Sequence, residues 1–137
     1  MIRYLLDTNV CVHALKNEFG VKQLIAETGI TRCFLSQITI AELLFGVENS
    51  APERRSLNRQ NVEQFQALFI SRVLSIDPVL AEYARQKVML RRMGRPVDDF
   101  DLLIGATAIV HELTLVTRNT RHFADMNGIK LVNWIDL

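Results

Sequence analysis

A chain of 137 residues has room for one hydrophobic interior, so a single domain over residues 1–137 is expected and a second independent core is excluded. Hydrophobic residues at 49% against charged residues at 23% exclude a disordered or fibrous chain. A net charge of +1 excludes the field of a protein that attracts polyanions over its whole surface, so any nucleic-acid contact has to use local basic patches.

In chain order, Ile2 to Leu6 reads as a short apolar strand, followed by the capping cluster Asp7-Thr8-Asn9 and a helix with Val10, Cys11, Ala14 and Leu15 at helical spacing. A second helix is expected from Val21 to Ala26, closed by Gly29, and Cys33-Phe34-Leu35 is a second buried strand. Ser36 or Thr39 caps the next helix, which carries Ile40, Leu43, Leu44 and Val47. Ala51-Pro52-Glu53 interrupts the pattern before a polar helix from Leu57 to Ile70, with Val62, Phe65, Leu68 and Phe69 on one stripe. Val73 to Ile76 is β-capable, and Asp77-Pro78 starts a helix that Gly94-Arg95-Pro96 ends. Asp98 to Glu112 is the most apolar helix; Leu113 to Thr117 and Leu131-Val132 are the last strands.

Alternating strands and helices without linker or repeat predict a three-layer α/β/α domain with a mostly parallel central sheet. The apolar run Leu102 to Val110 is nine residues, short of the roughly 20 that span a bilayer, so no membrane segment is expected. An acid as early as Asp7 argues against an export signal and for a cytoplasmic setting. Cys11 and Cys33 are too far apart for a Cys-x-x-Cys pair and are expected to be buried, reduced thiols.

In parallel sheets, ligands bind beyond the carboxyl ends of the strands, which singles out polar residues just after strands and at helix starts. Asp7, Glu42, Asp101 and Asn119 occupy such places. Hard cations such as magnesium take oxygen ligands from a few carboxylates. Each acid also has a structural reading: Asp7 as a helix cap, Asp98, Asp99 and Asp101 as complements to a helix dipole, and Glu42 as the far end of a Thr39-to-Glu42 capping box. Gly105 and Ala108, on the same face as Asp101, are expected to leave room for a phosphate backbone.

Several separated blocks, in order, resemble the PIN-domain toxins of bacterial toxin-antitoxin pairs, the VapC type. They are Tyr4-Leu5-Leu6-Asp7-Thr8-Asn9, Ile38-Thr39-Ile40-Ala41-Glu42-Leu43, Gly94-Arg95-Pro96-Val97 with Asp101-Leu102-Leu103-Ile104-Gly105-Ala106, Leu115-Val116-Thr117-Arg118-Asn119-Thr120-Arg121-His122-Phe123, and Gly128-Ile129-Lys130-Leu131-Val132-Asn133-Trp134. The resemblance implies an endoribonuclease using Mg2+ or Mn2+ held by Asp7, Glu42 and Asp101. Many members carry a fourth acid where this chain has Asn119, which leaves one ion or two open and gives Asn119 the alternative task of orienting water or substrate. Thr8, Asn9, Asp98, Asp99 and Thr117 are the candidates for supporting the ligands from behind.

Arg95, Arg118 and Arg121 are the candidate RNA contacts, with His122 beside them; a solvated helix face explains the run from Arg85 to Arg95 equally well. The resemblance further implies a homodimer and a cognate VapB-like antitoxin, forming a heterotetramer or larger; the apolar residues of the Leu57 to Ile70 helix are a candidate groove for it, and core packing explains that stripe equally well. The rival is a PIN-like RNA- or partner-binding module that has lost catalysis. A haloacid dehalogenase-like phosphatase is disfavoured because Asn9 stands where a second acid would be needed. Transfer, ribosomal and messenger RNA all remain compatible as substrate.

Overall fold

A computed structural model describes residues 1–136. Five short strands, β1 (Tyr4–Leu6), β2 (Cys33–Ser36), β3 (Val73–Leu74), β4 (Thr114–Val116) and β5 (Leu131–Val132), form one sheet in the order β3-β2-β1-β4-β5 with every pair parallel. Helices α1 (Thr8–Leu15), α2 (Val21–Thr28), α3 (Gln37–Glu48) and α4 (Pro52–Ala67) precede β3, and α5 (Leu80–Arg92), α6 (Asp99–Val110) and the single-turn α7 (Thr120–Phe123) follow it.

Strand alternation sorts the core into two layers. Leu6, Leu35 and Val116 point to one face, against Val10 and Ala14 of α1, Leu43 and Val47 of α3, and Val62 and Phe65 of α4. Leu5 and Leu115 point to the other, against Leu90 of α5, Leu102, Ile104 and Ala108 of α6, and Phe123 of α7. The expected three-layer α/β/α arrangement is therefore present, with the sheet buried on both sides.

Several boundaries differ from the sequence expectation. The first strand begins at Tyr4, and Ile2 is exposed. The polar helix expected from Leu57 starts earlier: Pro52 opens α4 as its first residue, where its missing N–H costs nothing. That helix ends at Ala67, so Leu68 and Ile70 fall outside it at 58% and 84% exposure while Phe69 is fully buried. Ser36, not Thr39, caps α3, with its hydroxyl accepting from the Ile38 N–H at 3.1 Å. Thr39 is buried inside that helix.

The strand order carries the functional consequence. From β1 the chain winds outward through β2 to β3, then returns to place β4 on the other side of β1. At such a reversal the two flanking connections leave in opposite directions and open a crevice at the carboxyl ends of the strands. Asp7 follows β1 and Thr117 follows β4, and the Asp7 N–H donates to the Val116 carbonyl at 2.9 Å.

Candidate metal centre

Asp7 is 4% exposed, the N-cap of α1 and the most deeply buried acid of the crevice. One carboxylate oxygen accepts from the Thr8 N–H at 2.8 Å and the other from the Thr117 hydroxyl at 2.7 Å. The capping reading is thus correct but incomplete, because no exposed cap needs a buried threonine on its second oxygen. Burial raises the Asp7 pKa from the ordinary 3.8 to about 6; the two hydrogen bonds oppose that rise, and the charges of Asp101 and Glu42 add to it. Asp101 and Glu42 therefore lie near enough for their charges to act on Asp7.

Glu42, in the second turn of α3, does not close a capping box. Its carboxylate accepts from the Thr8 hydroxyl at 2.6 Å, and Thr8 and Thr39 hydroxyls meet at 3.1 Å. A hydroxyl has one proton to give, so Thr8 donates to the acceptor-only carboxylate and receives from Thr39. Two helices thereby cooperate: α1 supplies Thr8, and the i to i+3 spacing on α3 puts Thr39 and Glu42 on one face. The Glu42 pKa is raised by burial, then by Asp101 and Asp98, against the lowering effect of the Thr8 bond.

Asp101 lies in the first turn of α6, half-buried, with His122 Nδ1 at 3.6 Å from its carboxylate. Burial raises its pKa first; the His122 ring lowers it and Asp98 raises it. His122 is the residue whose place the sequence reading missed, since it was grouped with the arginines. Its only signal is its position three residues beyond Asn119, on the short helix that follows β4.

Among the described residues, no three His, Cys, Asp or Glu side chains close into a ready-made ligand cage. The Asp7 carboxylate is bonded by Thr117 and the Thr8 N–H, that of Glu42 by the Thr8 hydroxyl, and that of Asp101 has His122 beside it. The donor set still fits a hard divalent cation: it is all oxygen, it is recessed, and each of the three pKa values is pushed upward partly by another acid. A cation among them reverses that repulsion.

The supporting candidates separate into two groups. Thr8 and Thr117 bond the acids directly, and Thr117 also accepts from the Asn119 N–H at 3.0 Å, which tightens the turn after β4. Asn9 works one step away, accepting from the Arg118 N–H at 3.4 Å. Asp98 stands close enough to raise both Glu42 and Asp101. Asp99 faces elsewhere: Lys87 at 2.8 Å and the Tyr83 hydroxyl at 2.8 Å hold it against α5 and keep its pKa low. Asn119 is exposed, with its side chain making no capping bond to α7.

Of the basic candidates, Arg118 is engaged. Its guanidinium donates to both carboxylate oxygens of Asp136 at 3.1 and 3.3 Å, contacts His13 at 3.4 Å, and lies 4.8 Å over the Phe19 ring. That network joins the β4 turn to α1 and the α1–α2 loop, with the Arg118 side chain still 37% exposed. Arg95 and Arg121 instead line a cavity of about 320 Å3 together with Asp98, Asp101, His122 and Asp125. A larger cavity of about 750 Å3, lined by α5 and Asn127, contains none of the three acids and has mostly apolar walls. Of the three acids only Asp101 lines the smaller one, and Glu42 lines another cavity of about 550 Å3 between α1, α3 and α4.

Gly105 and Ala108 do not leave room for a phosphate backbone. A Cβ on Gly105 would lie 2.4 Å from Met126 Sδ and 3.4 Å from Ile129 Cδ1, and Ala108 is buried in the core. Their smallness lets the segment after α7 lie close on α6.

The profile of the PIN domain family matches residues 4–129. The tRNA(fMet)-specific endonuclease VapC of Shigella flexneri is 34% identical over 98% of this chain and 99% of its own. Among solved structures, DNA-bound VapBC from Salmonella typhimurium superimposes with a TM-score of 0.86 at 33% identity, over 98% of this chain and 99% of that one. FitAcB from Neisseria gonorrhoeae gives a TM-score of 0.88 at 32% identity, with the same coverage of 98% and 99%.

Proposed function

Since the chain belongs to the PIN domain family and to its VapC-type ribonuclease toxins, we propose that Asp7, Glu42 and Asp101 hold Mg2+ or Mn2+ in the crevice beside β1 and cut RNA there. The observation that carries this reading is the burial of Asp7 with two like charges near it and threonine, not arginine or lysine, on its carboxylate. A bound divalent ion would polarise the phosphodiester and make water a better nucleophile near neutral pH.

The chain's own residues do the positioning. Thr117 and the Thr8 N–H stop rotation of the Asp7 carboxylate, and the Thr39-to-Thr8 relay does the same for Glu42. Asp98 adds negative charge beside Asp101, and Asn119 is exposed and free to bond water or substrate. Arg95 and Arg121 bring positive charge to the phosphate side of the cavity.

The substrate to test first is transfer RNA, on the strength of the Shigella relative, and the partner is a cognate antitoxin, on the strength of the VapBC and FitAB complexes. A homodimer and a cytoplasmic site of action belong to the same reading; among the described residues no helix is long and apolar enough to cross a membrane.

Purified protein stripped with a chelator is expected to cleave no RNA, and added Mg2+ or Mn2+ to restore cleavage, with Asp101→Asn inactive throughout. Cleavage surviving in excess chelator would end the metal reading, and a folded wild-type chain inert with every RNA and ion would favour the binding module. Thr8→Val should weaken the ion about 10–100-fold, the usual consequence of removing a group that orients a ligand. The check is a metal titration followed by thermal shift, and an unchanged midpoint would show that Thr8 merely packs.

A further inference from the structure

The two arginines of the small cavity are in different states. Arg95 follows Gly94, whose φ of +70° makes the turn between α5 and α6, and its Nη1 donates to both oxygens of Asp125 at 3.0 and 3.1 Å. Only that nitrogen is used: among the described residues, Nε and Nη2 of Arg95 have no hydrogen-bond partner. The Arg95 side chain is 63% exposed, and an ion pair so open to water contributes too little to be what holds the loop. The same cavity carries Arg121 and His122 from α7, together with the acids Asp98 and Asp101.

We propose that Arg95 and Asp125 form an exchangeable pair, in which a phosphodiester of the RNA strand, other than the one being cut, takes Asp125's place on Arg95. The inference rests on the ribonuclease reading above. A guanidinium offers a fork of donors that suits a phosphate as well as a carboxylate, and the unused Nε–Nη2 edge lets the phosphate engage before Asp125 leaves. Arg121, exposed in the same cavity, is the second cation of this subsite. Asp125 keeps Arg95 next to the cavity when no RNA is present, and lowers RNA affinity in exchange.

The test is a double-mutant cycle in the full-length Asp7→Asn chain, which is expected to bind without cutting. The probe is a labelled single-stranded RNA of about a dozen nucleotides, read by fluorescence anisotropy over a salt series. Asp125→Asn is expected to tighten binding three- to tenfold, and Arg95→Ala to weaken it by a similar factor. Removing one phosphate contact should also lower the slope of log affinity against log salt by about 0.7. The double variant should bind like Arg95→Ala alone, because releasing an absent arginine gains nothing. If Asp125→Asn binds no better than its parent, or if its gain survives in the double variant, Asp125 acts by general repulsion or not at all and the exchange is overturned. Thermal unfolding of each variant separates these outcomes from loss of fold. RNA cleavage by the Asp7→Asn chain would sink the metal-site reading instead, and the binding cycle would still decide the exchange on Arg95.

Discussion

Asp7→Asn is expected to abolish RNA cleavage and, in chelator at pH 7.5, to raise the unfolding temperature by about 3–8 °C. The two effects share a cause. A carboxylate whose pKa rises from 3.8 to about 6 on folding disfavours the folded state by up to about 3 kcal/mol once it is ionised. Because the folded pKa is raised, the penalty is absent below pH 3.8, develops between pH 4 and pH 6, and is complete above that. The gap between Asp7→Asn and its parent should therefore be small in acid and widen toward neutral pH. Added Mg2+ should close it again by stabilising only the parent.

The asparagine keeps a carbonyl for the Thr8 N–H but turns an amide N–H2 or forces a rotated hydroxyl at Thr117, which is why the expected gain is less than the full penalty. The loss of cleavage should exceed the about 10–100-fold that follows when a group merely supporting a ligand is removed. A variant less stable than its parent at pH 7.5, or a gap indifferent to pH, would show that the hydrogen bonds from Thr8 and Thr117 outweigh burial.

Phe123→Ala is expected to cost about 3–5 kcal/mol, a large share of the about 5–15 kcal/mol that holds a domain folded. Phe123 is the last residue of α7, 1% exposed, packed in the layer that contains Leu5, Leu102 and Leu115. It is the anchor of a helix of four residues, too short to persist by its own hydrogen bonds. The same helix brings His122 to Asp101 and Arg121 to the cavity, so its release should reduce RNA binding even at temperatures where the domain stays folded. A fall of about 10–20 °C in unfolding temperature is the expected reading. Phe45→Ala, at 70% exposure, is the control and should change stability by no more than about 0.5 kcal/mol. If Phe123→Ala unfolds within a degree or two of wild type, α7 is held by something other than its phenylalanine.

Much was legible because it is local. An apolar run ending in Asp-Thr-Asn announces a strand, a cap and a helix within a few residues, and β1, Asp7 and α1 stand in that order. The apolar helix around Leu102, the strand through Leu115 and the alternation that implies a parallel sheet need no distant information either. The break around Ala51-Pro52-Glu53 is legible too, but that Pro52 already opens α4 five residues before Leu57 is not, because the first turns of that helix are polar and carry no apolar spacing.

The assignments around the site needed more. Asp98 and Asp99 are adjacent, yet Asp98 precedes α6 with extended backbone and acts on the other acids, whereas Asp99, the first helical residue, bonds Lys87 on α5. Arg118 and Arg121 look equally available for RNA until the fold brings Asp136 to the first. Gly105 and Ala108 are small for the sake of Met126 and the core, which only the packing of α7's trailing segment reveals.

From its residues alone the chain determined the kinds of element, their order, and which acids fall after strands or at helix starts, because propensity, capping and apolar spacing act over a turn or two. The tertiary structure decided who meets whom: it set β4 beside β1 and so brought Thr117 to Asp7 across 110 positions, Thr8 to Glu42 across 34, and His122 to Asp101. Strand order and helix rotation arise from burying both faces of the sheet at once, and no short stretch of sequence carries that condition.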